Sequence, residues 1–338
     1  MLYGSIEGVG KPVSRIVLGT AYPALTSGTQ DPGELADLLN TAVSTGINTI
    51  DTAKVYGQSQ AMLGGWIAGL SKNERDRLVI ETKGCHPLDD GTPRVTQQAL
   101  DEDIDDSLNK LNVDYIDVYL LHRDNPQVPA GEIVEWLNAQ QQAGHIRAFG
   151  GSNWTSDRLA EANDYAAAHG LTPFTVSSPN FSLAAQEGDP WIGSSVTLNG
   201  ADGAANAREL DWYRGSQMAV FAYSVLGRGF MTGMFTSDDR AAAEARLDEP
   251  ARRGYCYASN FERLRRAEIL AIRKHVSVPQ IAIAWAFAHD LNLYALLSCT
   301  SEAIIRSNAA ALDLTLSPEE AAWLNLESEE LETELDVE

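Results

Sequence analysis

Four polar side chains stand at or just beyond the ends of β-forming runs: Asp51, Lys83 and His122, with Tyr56 five residues past Asp51 in Asp51-Thr-Ala-Lys-Val-Tyr56-Gly57. An acid, an amine, an imidazole and a phenol gathered at one place suit proton transfer to or from an oxygen. A phenol with its ordinary pKa of about 10 is a poor donor at neutral pH, and a neighbouring ammonium lowers that value by stabilising the phenolate. Lys83 is the residue to do this for Tyr56. Asp51 would hold Lys83 charged and oriented, and His122 would donate a hydrogen bond to a substrate oxygen. A lone histidine is more often a structural imidazole. Four such residues at successive strand ends outweigh that reading.

The elements that must position them follow from the hydrophobic pattern. Eight β-rich runs recur: Arg15–Leu18, Thr49–Asp51, Leu78–Lys83, Tyr115–His122, Ile146–Ser152, Pro173–Ser178, Ala219–Ser224 and Tyr294–Cys299. Most are continuous apolar runs, the mark of strands buried on both faces in a parallel sheet. Between them Glu34–Val43, Ser59–Leu70, Thr96–Leu111, Gly131–Ala143, Ser156–His169, Ala204–Arg214, Val278–Ala288 and Ser301–Leu312 place apolar residues at helical spacing. The alternation predicts an α/β (β/α)8 TIM barrel, one domain over residues 1–338, with a C-terminal helical extension; the polar strand ends then meet at one mouth. The first ten residues alternate like a hairpin turned at Glu7-Gly8, which would close the barrel bottom. A doubly wound dinucleotide fold would need G-x-G-x-x-G after its first strand. Gly8-Val9-Gly10 is followed by Val13, and Gly227-Arg228-Gly229 by Thr232, so the fingerprint is absent.

Composition narrows the partners. With 25 basic and 47 acidic residues the formal charge is −22, so the surface field repels nucleic acid and anionic lipid. The three cysteines, Cys85, Cys256 and Cys299, show no C-x-x-C spacing, the N-terminus has no signal-peptide pattern, and the longest apolar run, Ile281–Ala288, is too short for a membrane span. A cytoplasmic protein is expected. The six histidines form no close pair, so no metal site is expected, and no G-x-S-x-G elbow supports serine hydrolysis. Cys85 reads as structural, and Trp285 and Phe287 as core. The segment Leu183–Asn206 is rich in Gly, Ser and Asp, as functional or mobile loops are. The acidic block Glu327–Glu338 reads as a solvated terminus.

The tetrad Asp51, Tyr56, Lys83 and His122 resembles that of the aldo-keto reductases, NAD(P)H-dependent barrel enzymes that reduce aldehydes and ketones. The resemblance runs from Gly19-Thr20-Ala21 through Gly150-Gly-Ser152-Asn153-Trp154 and Ala222-Tyr223-Ser224-Val-Leu226-Gly227 to Asn308-Ala-Ala-Ala-Leu-Asp-Leu. It implies that Tyr56 is the general acid, that Ser152 and Asn153 hold the cofactor's carboxamide, and that Gly19, Thr20, Ala21, Asp51 and Ser178 also contact the cofactor. Tyr223 would stack on the nicotinamide, and Ser224, Leu226, Gly227 and Gly229 would cradle the pyrophosphate. Ser178 stands where the family normally carries Gln. The Ser-Ser-Pro variant there, with Asp189-Pro-Trp191 and Arg253-Gly-Tyr255, looks like a bacterial branch linked to sugar or polyol catabolism.

The same resemblance puts the adenosine end at Thr300, Ser301, Arg306 and Asn308. NADP(H) is the family default; Glu302 and the absence of the usual basic residue make NAD(H) the alternative. Tyr22, His86, Arg123 and Trp191 lie in or beside loops after strands and are expected at the substrate mouth. The expected reaction is carbonyl reduction, on a sugar, a sugar-derived ketone or a small aldehyde. A dehydrogenase or epimerase working oxidatively, and a nucleotide-sensing regulatory subunit on the same scaffold, are the other readings.

Overall fold

The computed structural model describes residues 1–191, 193 and 195–331. Strands β1 (Tyr3–Gly4) and β2 (Val13–Ser14) form an antiparallel hairpin. It is longer than the first ten residues predict, because its return strand follows the turn at residues 7–9 by three residues. Eight parallel strands then close into a barrel: β3 (Ile16–Gly19), β4 (Thr49–Asp51), β5 (Val79–Gly84), β6 (Ile116–Leu121), β7 (Ile146–Ser152), β8 (Val176–Ser178), β9 (Ala219–Ala222) and β10 (Leu293–Ser298). They pair in chain order, and β10 closes on β3. The expected (β/α)8 TIM barrel is the observed fold.

The continuous apolar runs reflect two cores. Inward-facing Val17, Val79, Val118, Leu120, Val176 and Phe221 pack inside the barrel. Ile6 and Val9 of the hairpin join that cluster and fill the barrel's base. Outward-facing residues such as Ile16, Leu18 and Ile80 pack with Ile104 and Leu137 of the helices. Adjacent residues of one strand thus bury opposite faces, as the two-residue period of a strand requires.

The helices carry recognisable ends. Ser156–His169 starts where the Thr155 side chain accepts from Arg158 N and stops at Gly170, with φ +66°. The longest helix, Ala258–Lys274, is 17 residues long and has no counterpart in the predicted set. Its apolar stripe of Phe261, Leu264, Ala267 and Leu270 is diluted by seven Arg, Lys and Glu residues, which blurs the periodic signal. The predicted C-terminal extension is a further helix, Pro318–Leu324, packed against it. Among the described residues no helix is long and apolar enough to cross a membrane. Most of the acidic terminal block lies outside the described residues.

Candidate active site

The ends of the barrel strands open into a cavity of about 1050 Å³ whose lining includes Asp51, Tyr56, Lys83 and His122. Each is fixed by its strand. Asp51 and Lys83 end neighbouring strands, and Lys83 Nζ is hydrogen-bonded to the Asp51 carboxylate and, at 3.2 Å, to Thr52 O. The loop carrying Tyr56 is tied to β5 by Lys54 N donating to Lys83 O at 2.9 Å. His122 N donates to Gly84 O at 2.9 Å, which fixes the end of β6 against β5. The Tyr56 and His122 rings meet edge to face at 5.9 Å, and Lys83 Nζ lies 5.6 Å from the Tyr56 ring centre.

A fifth ionisable group sits beneath them. Glu81 is fully buried, faces Asp51 in the β4–β5 register, and places Oε1 2.9 Å from Lys83 Nζ. Burial pushes its pKa well above the carboxylate range; Asp51 adds to the rise, and Lys83 opposes it. One ammonium shared by two carboxylates in a dry interior favours a proton on Glu81. Burial works against the charge of Lys83, but Asp51 and Glu81 outweigh it and hold its pKa above the ordinary amine value. Strand parity was the signal for Glu81: a residue two before Lys83 in the same strand points the same way.

The balance at Tyr56 differs from the sequence expectation. Burial pushes its pKa up to about 12, and the lowering by Lys83 is outweighed, with Asp51 and Glu81 also raising it. The phenol keeps its proton at neutral pH, as a proton donor must. Burial, with Arg123, Lys83 and His86 nearby, holds the His122 pKa well below the ordinary imidazole value. Its ring is therefore neutral, and Nδ1 has no hydrogen-bond partner among the described residues.

Gly19, Ala21, Ser152, Asn153, Ser178 and Tyr223 line the same cavity. Ser152 and Ser178 are register partners across β7 and β8, and Ser152 Oγ donates to Ser178 O at 3.0 Å. Asn153 Oδ1 accepts from the Tyr223 hydroxyl at 2.7 Å. Ser178 Oγ is buried without a hydrogen-bond partner among the described residues. That orphaned hydroxyl, facing a cavity edged by an aromatic ring, fits the amide and planar ring of a nicotinamide. Ser224, Leu226 and Gly229 also line the cavity, whereas Gly227 is buried beside Ala184 and Phe230. Ser224 and Asn153 both hold left-handed backbone, φ +53° and +58°, just past their strands, as turn residues at functional sites often do. Thr20 donates to Asp51 O at 2.9 Å and braces the end of β4.

At the substrate mouth Tyr22, His86, Arg123 and Trp191 all line the cavity, so the loops bring together every residue expected there. The expected adenosine end is different in character. Thr300, Ser301 and Glu302 line a separate pocket of about 270 Å³ together with Gln30, Glu34 and Asp37. The Ser301 side chain caps its helix, Arg306 is bound to Glu302 at 2.9 and 2.6 Å, and Asn308 donates to the Cys299 sulfur at 3.4 Å. Among the described residues no cluster of three potential metal ligands occurs.

A model of the aldo/keto reductase family matches residues 15–325, and the chain belongs to that family. It is 28% identical over 298 residues to aldo-keto reductase YhdN of Bacillus subtilis, covering 84% of this chain and 81% of that protein. It is 26% identical over 345 residues to an NADH-specific methylglyoxal reductase of Escherichia coli, covering 95% and 96%. To a 6-dehydroglucose reductase of Novosphingobium aromaticivorans it is 27% identical over 292 residues, covering 83% and 81%.

Proposed function

We propose that this member of the aldo/keto reductase family catalyses the reversible, NAD(P)H-dependent reduction of an aldehyde or ketone to an alcohol in the cytoplasm, with Tyr56 as general acid. The observation that carries this reading is one cavity lined both by a protonated phenol backed by a buried ammonium and by the orphaned Ser178 hydroxyl beside Tyr223. A bound nicotinamide cofactor supplies or accepts the hydride. Ser152, Asn153 and Ser178 would hold its carboxamide, and Tyr223 would lie against its ring. His122, neutral, donates a hydrogen bond to the carbonyl oxygen; Tyr56 delivers its phenolic proton to that same oxygen. The phenolate that remains is stabilised by Lys83, which the Asp51 carboxylate keeps charged. In reverse, the phenolate takes the proton from the alcohol.

The catalytic reading is favoured over a nucleotide sensor because sensing needs no proton donor, and burying Lys83 between two carboxylates is costly without one. The relatives named for a dehydroglucose and for methylglyoxal support a sugar-derived or small carbonyl substrate, and the same residues serve the oxidative direction. At the adenosine end, carboxylates suit the free 2′-hydroxyl of NADH, whereas NADP(H), the family default, needs a cation for its 2′-phosphate. Glu34, Asp37 and Glu302 in the pocket after β10, with Arg306 held by Glu302, support NADH. Both points are tested by fluorescence titration of wild type and Tyr56→Phe with NADH and NADPH, followed by carbonyl reduction assays. Tyr56→Phe should bind cofactor as the wild type does and lose about 10²–10⁴-fold in reduction, with NADH the tighter ligand. Near-wild-type turnover by the variant would overturn the mechanism; tighter NADPH binding would overturn the cofactor assignment.

A further inference from the structure

Three cationic side chains line the cavity, and two of them are spoken for. Lys83 is held by Asp51 and Glu81, and Arg228 is paired with Asp248 at 2.8 Å. The third, Arg123, makes no ion pair among the described residues. Its hydrogen bond is from Nη1 to the backbone oxygen of His122, at 2.7 Å, which fixes the guanidinium beside the imidazole meant for the substrate oxygen. Neither nearby carboxylate forms an ion pair with it among the described residues. Asp124, its neighbour in the chain, pairs with Arg158 at 3.1 Å. Asp189 accepts from the Ser195 hydroxyl and from Trp191 N, both at 2.7 Å.

Burial lowers the Arg123 pKa, against the raising influence of Tyr223, Tyr56 and Asp189, yet a guanidinium stays charged in a protein. Withdrawing an unpaired cation from water is costly. In a chain with 47 acidic residues against 25 basic ones, a partner from the protein itself would be easy to supply. His86 does not share the positive charge, because burial lowers its pKa by more than the bond from its Nδ1–H to Pro87 O, at 2.9 Å, raises it. His122 is neutral as well. The free positive charge next to the reacting position is therefore that of Arg123.

The position on the barrel indicates what this charge is for. Phosphate groups in barrels of this type are commonly held by the loops after the seventh and eighth strands, here β9 and β10. Arg123 follows β6, the fourth barrel strand, diametrically across the mouth from β10. It adjoins the proton donor instead: it follows His122, whose ring meets that of Tyr56, and its charge acts to lower the Tyr56 pKa. We propose that the carbonyl substrate carries an anionic oxygen group, a carboxylate or a phosphate, that Arg123 receives while Tyr56 and His122 hold the carbonyl. This inference rests on the reductase reading and specifies its substrate class: an oxo acid, an acidic sugar or a phosphorylated carbonyl compound.

The test compares matched pairs. Reduction of succinic semialdehyde is measured against butanal, and of glyceraldehyde 3-phosphate against glyceraldehyde, for wild type, Arg123→Gln and Arg123→Lys. In the wild type the anionic member of at least one pair should have a kcat/KM about 10- to 100-fold higher, the range of a charge-assisted contact. The pair that shows it names the anion. Arg123→Gln should abolish the preference through a raised KM for the anionic member, and Arg123→Lys should restore part of it. Equal or better turnover of the neutral member in both pairs overturns the inference and leaves the reductase reading standing; so does an anionic preference that survives Arg123→Gln. Calorimetric titration with 4-hydroxybutyrate and glycerol 3-phosphate applies even if no carbonyl is turned over, an outcome that would count against the reductase reading alone. Binding by wild type that Arg123→Gln loses supports the anion site, and no binding by either protein overturns it.

Discussion

Glu81 shows how a single side chain changes the chemistry of its neighbours. Asp51, Lys83 and Glu81 form a buried set in which one ammonium serves two carboxylates, and the proton that Glu81 retains leaves more of the Lys83 charge for Tyr56. A carboxyl whose pKa is higher in the folded protein than in the unfolded chain contributes stability below the unfolded value and loses it as pH rises toward the folded one. Between the ordinary carboxylate value of about 4.3 and the raised folded value, the unfolded chain ionises and the folded one does not. Glu81→Gln removes that penalty and keeps the shape. Its stability relative to wild type, from urea midpoints, should therefore rise between pH 5 and pH 8, by up to about 1.4 kcal/mol per pH unit; a pH-independent difference would refute it. The tetrad was legible from residue types at strand ends, whereas Glu81 lies one inward position deeper, where a search of strand ends does not look. The residues expected at the adenosine end were legible as a segment only, since whether Arg306 faces a ligand or Glu302 depends on a side-chain rotamer that sequence does not encode.

Among the elements, β7 does two tasks through adjacent residues. Ser152 and Asn153 reach the cavity because Gly150 and Gly151 let the strand lie close to its surroundings. A Cβ on Gly150 would stand 1.6 Å from Val176 O, in the backbone of β8, and one on Gly151 would stand 2.5 Å from the Trp154 ring. Backbone in a closed barrel has little room to yield. Gly150→Ala is expected to cost about 2 kcal/mol or more in urea denaturation, and to weaken cofactor affinity because Ser152 and Ser178 lose their register. A variant with wild-type midpoint and affinity would show that β8 shifts freely. The strands were readable as continuous apolar runs because both of their faces are buried. The helix Ala258–Lys274 was not, because its charged residues serve the tertiary structure: Arg266 is buried and donates to Trp323 O at 2.7 Å and Ser328 O at 2.6 Å, pinning the C-terminal segment.

For the whole molecule, a formal charge of −22 makes the compact state repel itself, and salt screens that repulsion over a Debye length of about 10 Å at 0.1 M. The urea midpoint should climb as sodium chloride rises from about 0.05 to 0.5 M, where the screening length shortens; a fall would mean that paired charges outweigh the net repulsion. Charge balance and the repeating strand and helix pattern were visible in the sequence, since both are sums over many residues. The way the barrel is closed was visible only in outline. With Ile6 and Val9 plugging the base, the barrel is a vessel with a floor, and whatever reaches the Tyr56 chamber enters and leaves by the rim. Two reactants sharing one such doorway form a queue: the one seated deeper has to arrive first and depart last, so the architecture imposes a sequence in time on every turnover.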